Sequence, residues 1–425
     1  MLIKNSVFPR REIVFTNIFW LSLASLISQG FIAISLLITA RSLGASAYGQ
    51  YSASLALTRL TSICFNWGLD TWLLREGRCT EKPISVIIAN ILATKFILGV
   101  VWFFALLFLS RSLDSKIYPF YLLCASASAT WVETGLISTL IQGFNISLKN
   151  LLTLVISAIS SIGLFFTTLA LAFLQMNNPL HFMIVRLLIS CAAVCVGLFW
   201  LLRIPVSTIS TCSTCMRTIL LRSLPFAVSD ALLIIYTQID ITLIAILLDS
   251  QSVGLYSSAS GILRAAFVIP SAVYSVMTPL ISQLAREGNF VRLAKTVQRT
   301  YLALFFIGLA LWSGMFWGGP TIVSLILREG FAPAGKVLTI LSVILFIKSI
   351  SYASASVIIA TNKQIWRVVV QGIAAFINVG LNLLVIPLYG IWGAAWVYVI
   401  SEAFLMIGYI VVATRGYRAL LSSGV

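Results

Sequence analysis

Residues Ile84 to Leu109 read ISVIIANILATKFILGVVWFFALLFL, an unbroken apolar run carrying one charge, Lys95, near its middle. A helix that crosses a bilayer needs about 20 such residues, so this stretch is long enough to span once. It is one of twelve. The others cover residues 16–40, 48–69, 117–141, 151–174, 182–202, 226–248, 254–284, 300–317, 337–359, 368–386 and 393–412. Backbone N–H and C=O groups find no partner in lipid, so each run is expected to be a helix. Period-two alternation is absent, which argues against a membrane barrel. The expected fold class is an all-α integral membrane protein with twelve transmembrane helices.

Composition demands the same. Apolar residues are 60% of the 425 and charged residues 9%, against roughly 25% charged in soluble domains. So few charges cannot cover a soluble surface of this size. Net charge is +16, from 28 Lys and Arg against 12 Asp and Glu. With the N-terminus inside, 18 basic residues fall in inner segments and 5 in outer loops. Lys and Arg collect on the cytoplasmic side, so both termini are expected there. The basic balance therefore reflects topology, and no nucleic-acid partner is expected. The polar start Lys4–Glu12 and the long first run read as an uncleaved signal helix, not a cleaved leader.

The spans repeat. Gly49-Gln50-Tyr51-Ser52 aligns with Gly254-Leu255-Tyr256-Ser257 at an offset of 205, which also places Arg59 on Arg264. At an offset of 217, Asn145 meets Asn362 and Gly163 meets Gly380. An even number of spans separates the partners, so the halves are parallel repeats of six helices. The expected division is 1–206, a cytoplasmic linker over 207–222 and 223–425. The linker is rich in Ser, Thr and Cys. Its Cys212 and Cys215 form a lone CxxC pair, read as incidental and not as a zinc site.

Five basic residues lie inside spans: Arg59, Lys95, Arg186, Arg264 and Lys348. A charge at mid-membrane costs at least about 2.5 kcal/mol, so these positions are functional candidates. All but Arg186 sit ten or eleven residues into their spans, about 15–17 Å deep at 1.5 Å per residue. Arg186 lies nearer the outer face, where it can snorkel to water. Ser52, Arg59 and Asn66 form one seven-residue stripe, and Ser257, Ser260 and Arg264 form another on the repeat-related span. Polar stripes face a cavity or a neighbouring helix rather than lipid. Two at equivalent positions imply a shared basic cavity with Asn66, Ser257 and Ser260 on its walls.

The buried acids Glu133, Asp230, Asp240 and Glu402 have two readings. They pair with the buried cations as structural salt bridges, or one of them carries H+ or Na+ during transport. No catalytic constellation, phosphate-binding loop or dinucleotide motif is present, and His181 is the single histidine. The chain is read as no enzyme, with no metal and no cofactor.

Four segments carry a family resemblance. They are Leu43-Gly44-Ala45-Ser46-Ala47-Tyr48-Gly49-Gln50-Tyr51, then Asn66-Trp67-Gly68-Leu69-Asp70 with Leu74-Arg75-Glu76, then Met277-Thr278-Pro279-Leu280 to Glu287, and Asn378 through Pro387 to Ala395. Together they resemble the polysaccharide or O-antigen flippases of the multidrug/oligosaccharidyl-lipid/polysaccharide exporter superfamily. The resemblance implies a V-shaped, two-lobed transporter working by alternating access in the bacterial inner membrane. Its cargo would be a polyprenyl-pyrophosphate-linked oligosaccharide, with membrane lipid around the tail. A polysaccharide polymerase and chain-length proteins would be its partners. Pyrophosphate leaving water needs positive charge. Arg59 and Arg264 are the first candidates to supply it, with Lys95, Lys348 and Arg186 beside them. The alternatives are a multidrug exporter of the same superfamily, which a basic cavity disfavours, and a membrane polysaccharide polymerase or ligase, which would need a larger outer loop.

Overall fold

The structure is a computed structural model describing residues 11–76, 84–147, 149–203, 213–327 and 329–422. It is helical throughout, with no strand among the described residues. The first half holds α1 (Arg11–Leu43), α2 (Ala45–Thr61), α3 (Ile63–Asn66), α4 (Leu69–Glu76), α5 (Ile84–Leu109), α6 (Phe120–Thr130), α7 (Ser138–Ile146), α8 (Asn150–Phe173) and α9 (Pro179–Leu202). The second holds α10 (Ser213–Leu247), α11 (Ser250–Ala266), α12 (Val268–Arg286), α13 (Phe290–Ile326), α14 (Ala332–Ala360) and α15 (Gln364–Ser422). Among the described residues, ten helical segments are long and apolar enough to cross a membrane. The last of these contains two crossings, because α15 turns at Gly390, φ 58° and ψ −143°. The α2–α4 chain adds one more, so the twelve expected runs are all helical.

Two spans are interrupted by turns among the described residues. The second breaks at Ser62 and again at Trp67 and Gly68, which both have positive φ. Asn66 thus ends a short helix and leaves the stripe of Ser52 and Arg59. The eighth breaks at Phe267, between α11 and α12. Pro270 falls in the first turn of α12, where a missing N–H costs little, and Pro279 lies inside the helix. Between α6 and α7, Trp131–Ile137 winds as a π-helix with Glu133 in its first turn. The expected linker falls partly on residues 204–212, outside the described set, and partly on the first turns of α10; the Cys212–Cys215 reading also lies outside it.

Helices before residue 204 pack chiefly among themselves, α1 on α8 and α6 on α9. Those after residue 212 do the same, α13 on α14 and α10 on α15. The two sets meet where α1, α2 and α4 touch α10, α11 and α12. At the end that the charge count assigns to the outside, α2 and α11 cross very closely. A Cβ on Gly49 would lie 1.6 Å from the Ser250 carbonyl oxygen, and one on Gly254 would lie 1.8 Å from that of Ala45. The two contacts are related by the repeat offset of 205, so one sequence repeat builds both sides of the crossing. Ser46 and Ser250 hydroxyls lie 3.1 Å apart beside it. Gly254→Val should force the crossing open. In a cysteine-free background, Ser46→Cys/Ser250→Cys is expected to form a disulfide readily, and to form it poorly once Gly254→Val is added.

Candidate functional site: a basic cavity between the halves

Beneath that crossing lies a cavity of about 300 Å³. α2 contributes Tyr48, Tyr51, Ser52 and Arg59; α11 contributes Tyr256, Ser257, Ser260 and Arg264. α10 adds Tyr236 and Asp240, α14 adds Lys348 and α15 adds Tyr398. The volume equals the share of about ten waters. The hydroxyls of Ser257 and Ser260 are buried without a hydrogen-bond partner.

The three cations on this wall differ in how fully they are neutralised. Lys348 Nζ lies 2.6 Å from Glu402 Oε1 and 5.2 Å from the Phe267 ring centre. Arg59 Nη2 is 3.8 Å from Glu133 Oε2, a loose pair. Arg264 is exposed to the cavity and makes no ion pair among the described residues. Thus one cation is held, one half-held and one free.

The other two expected cations are placed differently. Lys95 does not line the cavity. It is 0% exposed, with Nζ 2.8 Å from Asp70 Oδ1 and donating to the Thr134 carbonyl at 3.3 Å. Asp70 also accepts from the hydroxyls of Ser138 and Thr139, the latter at 2.7 Å. This is a structural site away from the cavity. Arg186 does not snorkel to water: it is 4% exposed and grips Glu133 through two contacts, 2.7 and 2.8 Å. One charge-assisted hydrogen bond, from Nη2 to Oε2, and a second close ion contact hold the two groups together. Arg59, Arg186 and Glu133 also border a second cavity of about 290 Å³ within the first half.

The acids divide likewise. Glu133 and Glu402 pair with cations. Asp240 has no ion pair among the described residues; it accepts from Tyr256 OH at 3.1 Å and Asn382 Nδ2 at 2.8 Å. Asn382 also donates to Asn378 Oδ1 at 3.1 Å, so two asparagines of α15 hold Asp240 of α10. Asp230 accepts from the Thr71 hydroxyl at 2.9 and 3.1 Å and lies off the cavity. Asn66 is also off it.

Sequence reasoning missed the pairing role of Asp70, which stands inside a family motif, and it missed the tyrosine wall. The tyrosines had a visible signal, since the offset that superposes Arg59 on Arg264 also superposes Tyr51 on Tyr256.

A family profile described as polysaccharide biosynthesis protein matches residues 14–285, more than half of the chain. The chain belongs to this family. A second profile, MatE, matches residues 225–384. The capsular polysaccharide biosynthesis protein CapF of Staphylococcus aureus is 25% identical over 194 residues, 45% of this chain and 49% of that protein. The chain therefore spans about half the length of that curated relative. A multidrug resistance MATE transporter of the MOP superfamily, captured inward-facing, superposes with a TM-score of 0.71 at 14% identity, covering 93% of this chain and 96% of that one. The lipid II flippase MurJ, in an inward closed conformation, gives 0.69 at 16%, covering 96% and 90%. These structures show that this polysaccharide biosynthesis family member has the fold of MOP-superfamily membrane transporters.

Proposed function

We propose that the chain flips a polyprenyl-pyrophosphate-linked oligosaccharide across the bacterial inner membrane by alternating access, with both termini cytoplasmic. The halves 1–206 and 223–425 would be the moving lobes. The observation that carries this reading is that the free guanidinium of Arg264, the half-free one of Arg59 and Lys348 all line one cavity. A diphosphate needs several charge-assisted donors when it leaves water, and Arg supplies them in a planar fork. The tyrosines give flat faces against which sugar rings can rest. Family membership supports polysaccharide cargo. Polymerase and chain-length proteins would act on what is delivered.

Asp240 is the ion-coupling carboxylate in this reading. It faces the cavity, it has no cation partner among the described residues, and its two donors leave acceptor capacity for H+ or Na+. Glu133 and Glu402 are already committed to cations, and Asp230 is remote. Asp240→Asn is expected to leave a transporter whose flipping rate in proteoliposomes no longer responds to an imposed proton or sodium gradient. An unchanged gradient response would remove Asp240 from the role.

The drug-exporter reading draws on the MatE match and on Asp240, which suits an organic cation. Proteoliposomes separate the two. The purified chain should translocate a lipid-linked oligosaccharide, and its over-expression should not raise resistance to cationic drugs. The reverse pair of results would replace flippase with exporter.

A further inference from the structure

A second basic cleft lies far from the central cavity, at the opposite end from the α2–α11 crossing. It has a volume of about 240 Å³ and is lined by Lys363, Trp366, Val411, Val412, Arg415 and Gly416. Two backbone features build it. Asn362 adopts a left-handed conformation, φ 57°, which turns the chain between α14 and α15. Gly416 lets that turn settle onto the last helix, because a Cβ there would lie 2.6 Å from Thr361 Oγ1 and 3.4 Å from Lys363 Cγ. The ammonium-bearing chain of Lys363 and the guanidinium of Arg415 are thereby brought to one opening. Both are exposed, and neither makes an ion pair among the described residues.

The depth of the cleft identifies its surroundings. Arg415 is 25 residues past the turn at Gly390, or about 37 Å along a helix. That exceeds the about 30 Å of hydrocarbon, so the two cations stand at the level of lipid headgroups. Trp366, 55% exposed, is the amphipathic residue that favours this layer. Val411 and Val412 continue the cleft as an apolar wall on the lipid side. Cations above, an indole at the boundary and aliphatic groups below match a phosphate, a glycerol and the start of an acyl chain, in that order.

We infer that this cleft binds the headgroup of an anionic glycerophospholipid, the phosphate between Lys363 and Arg415 and the glycerol against Trp366. Basic clefts between helices at the cytoplasmic face recognise such headgroups through charge and shape together. The site is independent of the cargo cavity and of the identity of the cargo.

Native mass spectrometry of the full-length protein in detergent, titrated with phosphatidylglycerol or phosphatidylcholine, tests it. The wild type should retain phosphatidylglycerol in preference to phosphatidylcholine. Lys363→Gln/Arg415→Gln should bind phosphatidylglycerol about 30-fold more weakly, about a fivefold loss for each charge. Arg292→Gln/Lys295→Gln removes two exposed charges from the same end of the bundle and should bind as the wild type does. Equal losses in the two double variants would mean diffuse attraction to a basic surface and would overturn the site. So would a wild type without preference for phosphatidylglycerol, or a cleft variant with full affinity. If the cleft double variant does not purify as a monodisperse species, Arg415→Gln alone should show the fivefold loss, and its absence is equally decisive.

Discussion

Arg264→Glu should abolish delivery of polysaccharide to the cell surface while the protein accumulates in the membrane at its normal level. Arg264 is the cation of the cavity that no carboxylate among the described residues neutralises, so its charge is available to a guest. Hydrogen bonds to charged groups contribute about 1.5–3 kcal/mol each. Removing that contribution with Arg264→Gln should slow flipping about 10- to 150-fold in proteoliposomes. Reversal adds repulsion against a diphosphate and should leave no measurable flux. Arg264→Lys keeps the charge but loses the planar fork, and should fall between wild type and Gln. None of these changes takes a partner from a buried acid, so thermal stability should stay near that of the wild type. The same substitution at Arg59 is a less clean experiment, because it also disturbs Glu133.

The second large effect is on stability and falls at Lys95. Its ammonium is wholly buried and neutralised by Asp70. Breaking a buried pair from one side leaves an uncompensated charge and costs about 3–5 kcal/mol. Asp70→Ala should therefore yield protein that aggregates in detergent at a much lower temperature, read as loss of the monodisperse peak after heating. Replacing both partners by apolar groups of similar size is often neutral or favourable. Asp70→Leu/Lys95→Met should recover most of the loss and should still flip its cargo, although Ser138 and Thr139 lose an acceptor. A double variant that is stable but inactive would restore Lys95 to the cargo path.

These two residues also show how far the sequence could be read. Lys95 and Arg264 sit at nearly the same depth, and hydropathy gives depth well. Depth says nothing about which way a side chain points around its helix. That direction depends on the neighbour it meets, and Asp70 lies in a separate short helix, α4, created by the break at Trp67–Gly68. The break at Trp67–Gly68 has no proline to announce it, so the second span reads as continuous, whereas the break at Phe267 has Pro270 just after it, whose ring and missing N–H act on the turn before. Arg186 failed differently. Its position near a span end favours snorkelling, yet Glu133 reaches it from a π-helical turn that nothing in Trp131–Ile137 announces. The repeat was more informative than either. Its offset of 205 carried Gly49 to Gly254, Tyr51 to Tyr256 and Arg59 to Arg264. In the structure these pairs become the crossing, part of the aromatic wall and two guanidinium groups lining one cavity. What a repeat preserves is geometry, and the geometry here is a cavity with a positive centre.

The most direct test of that centre is binding, not transport. The affinity of the purified protein for a polyprenyl pyrophosphate should be compared with that for the same polyprenol lacking phosphate, in wild type and in Arg59→Gln/Arg264→Gln. The wild type should prefer the pyrophosphate at least about 100-fold, as expected from two charge-assisted contacts, and the double variant should lose most of that preference. Equal affinity of the wild type for the two lipids, or an undiminished preference in the variant, would contradict the assignment of these arginines to an anionic cargo.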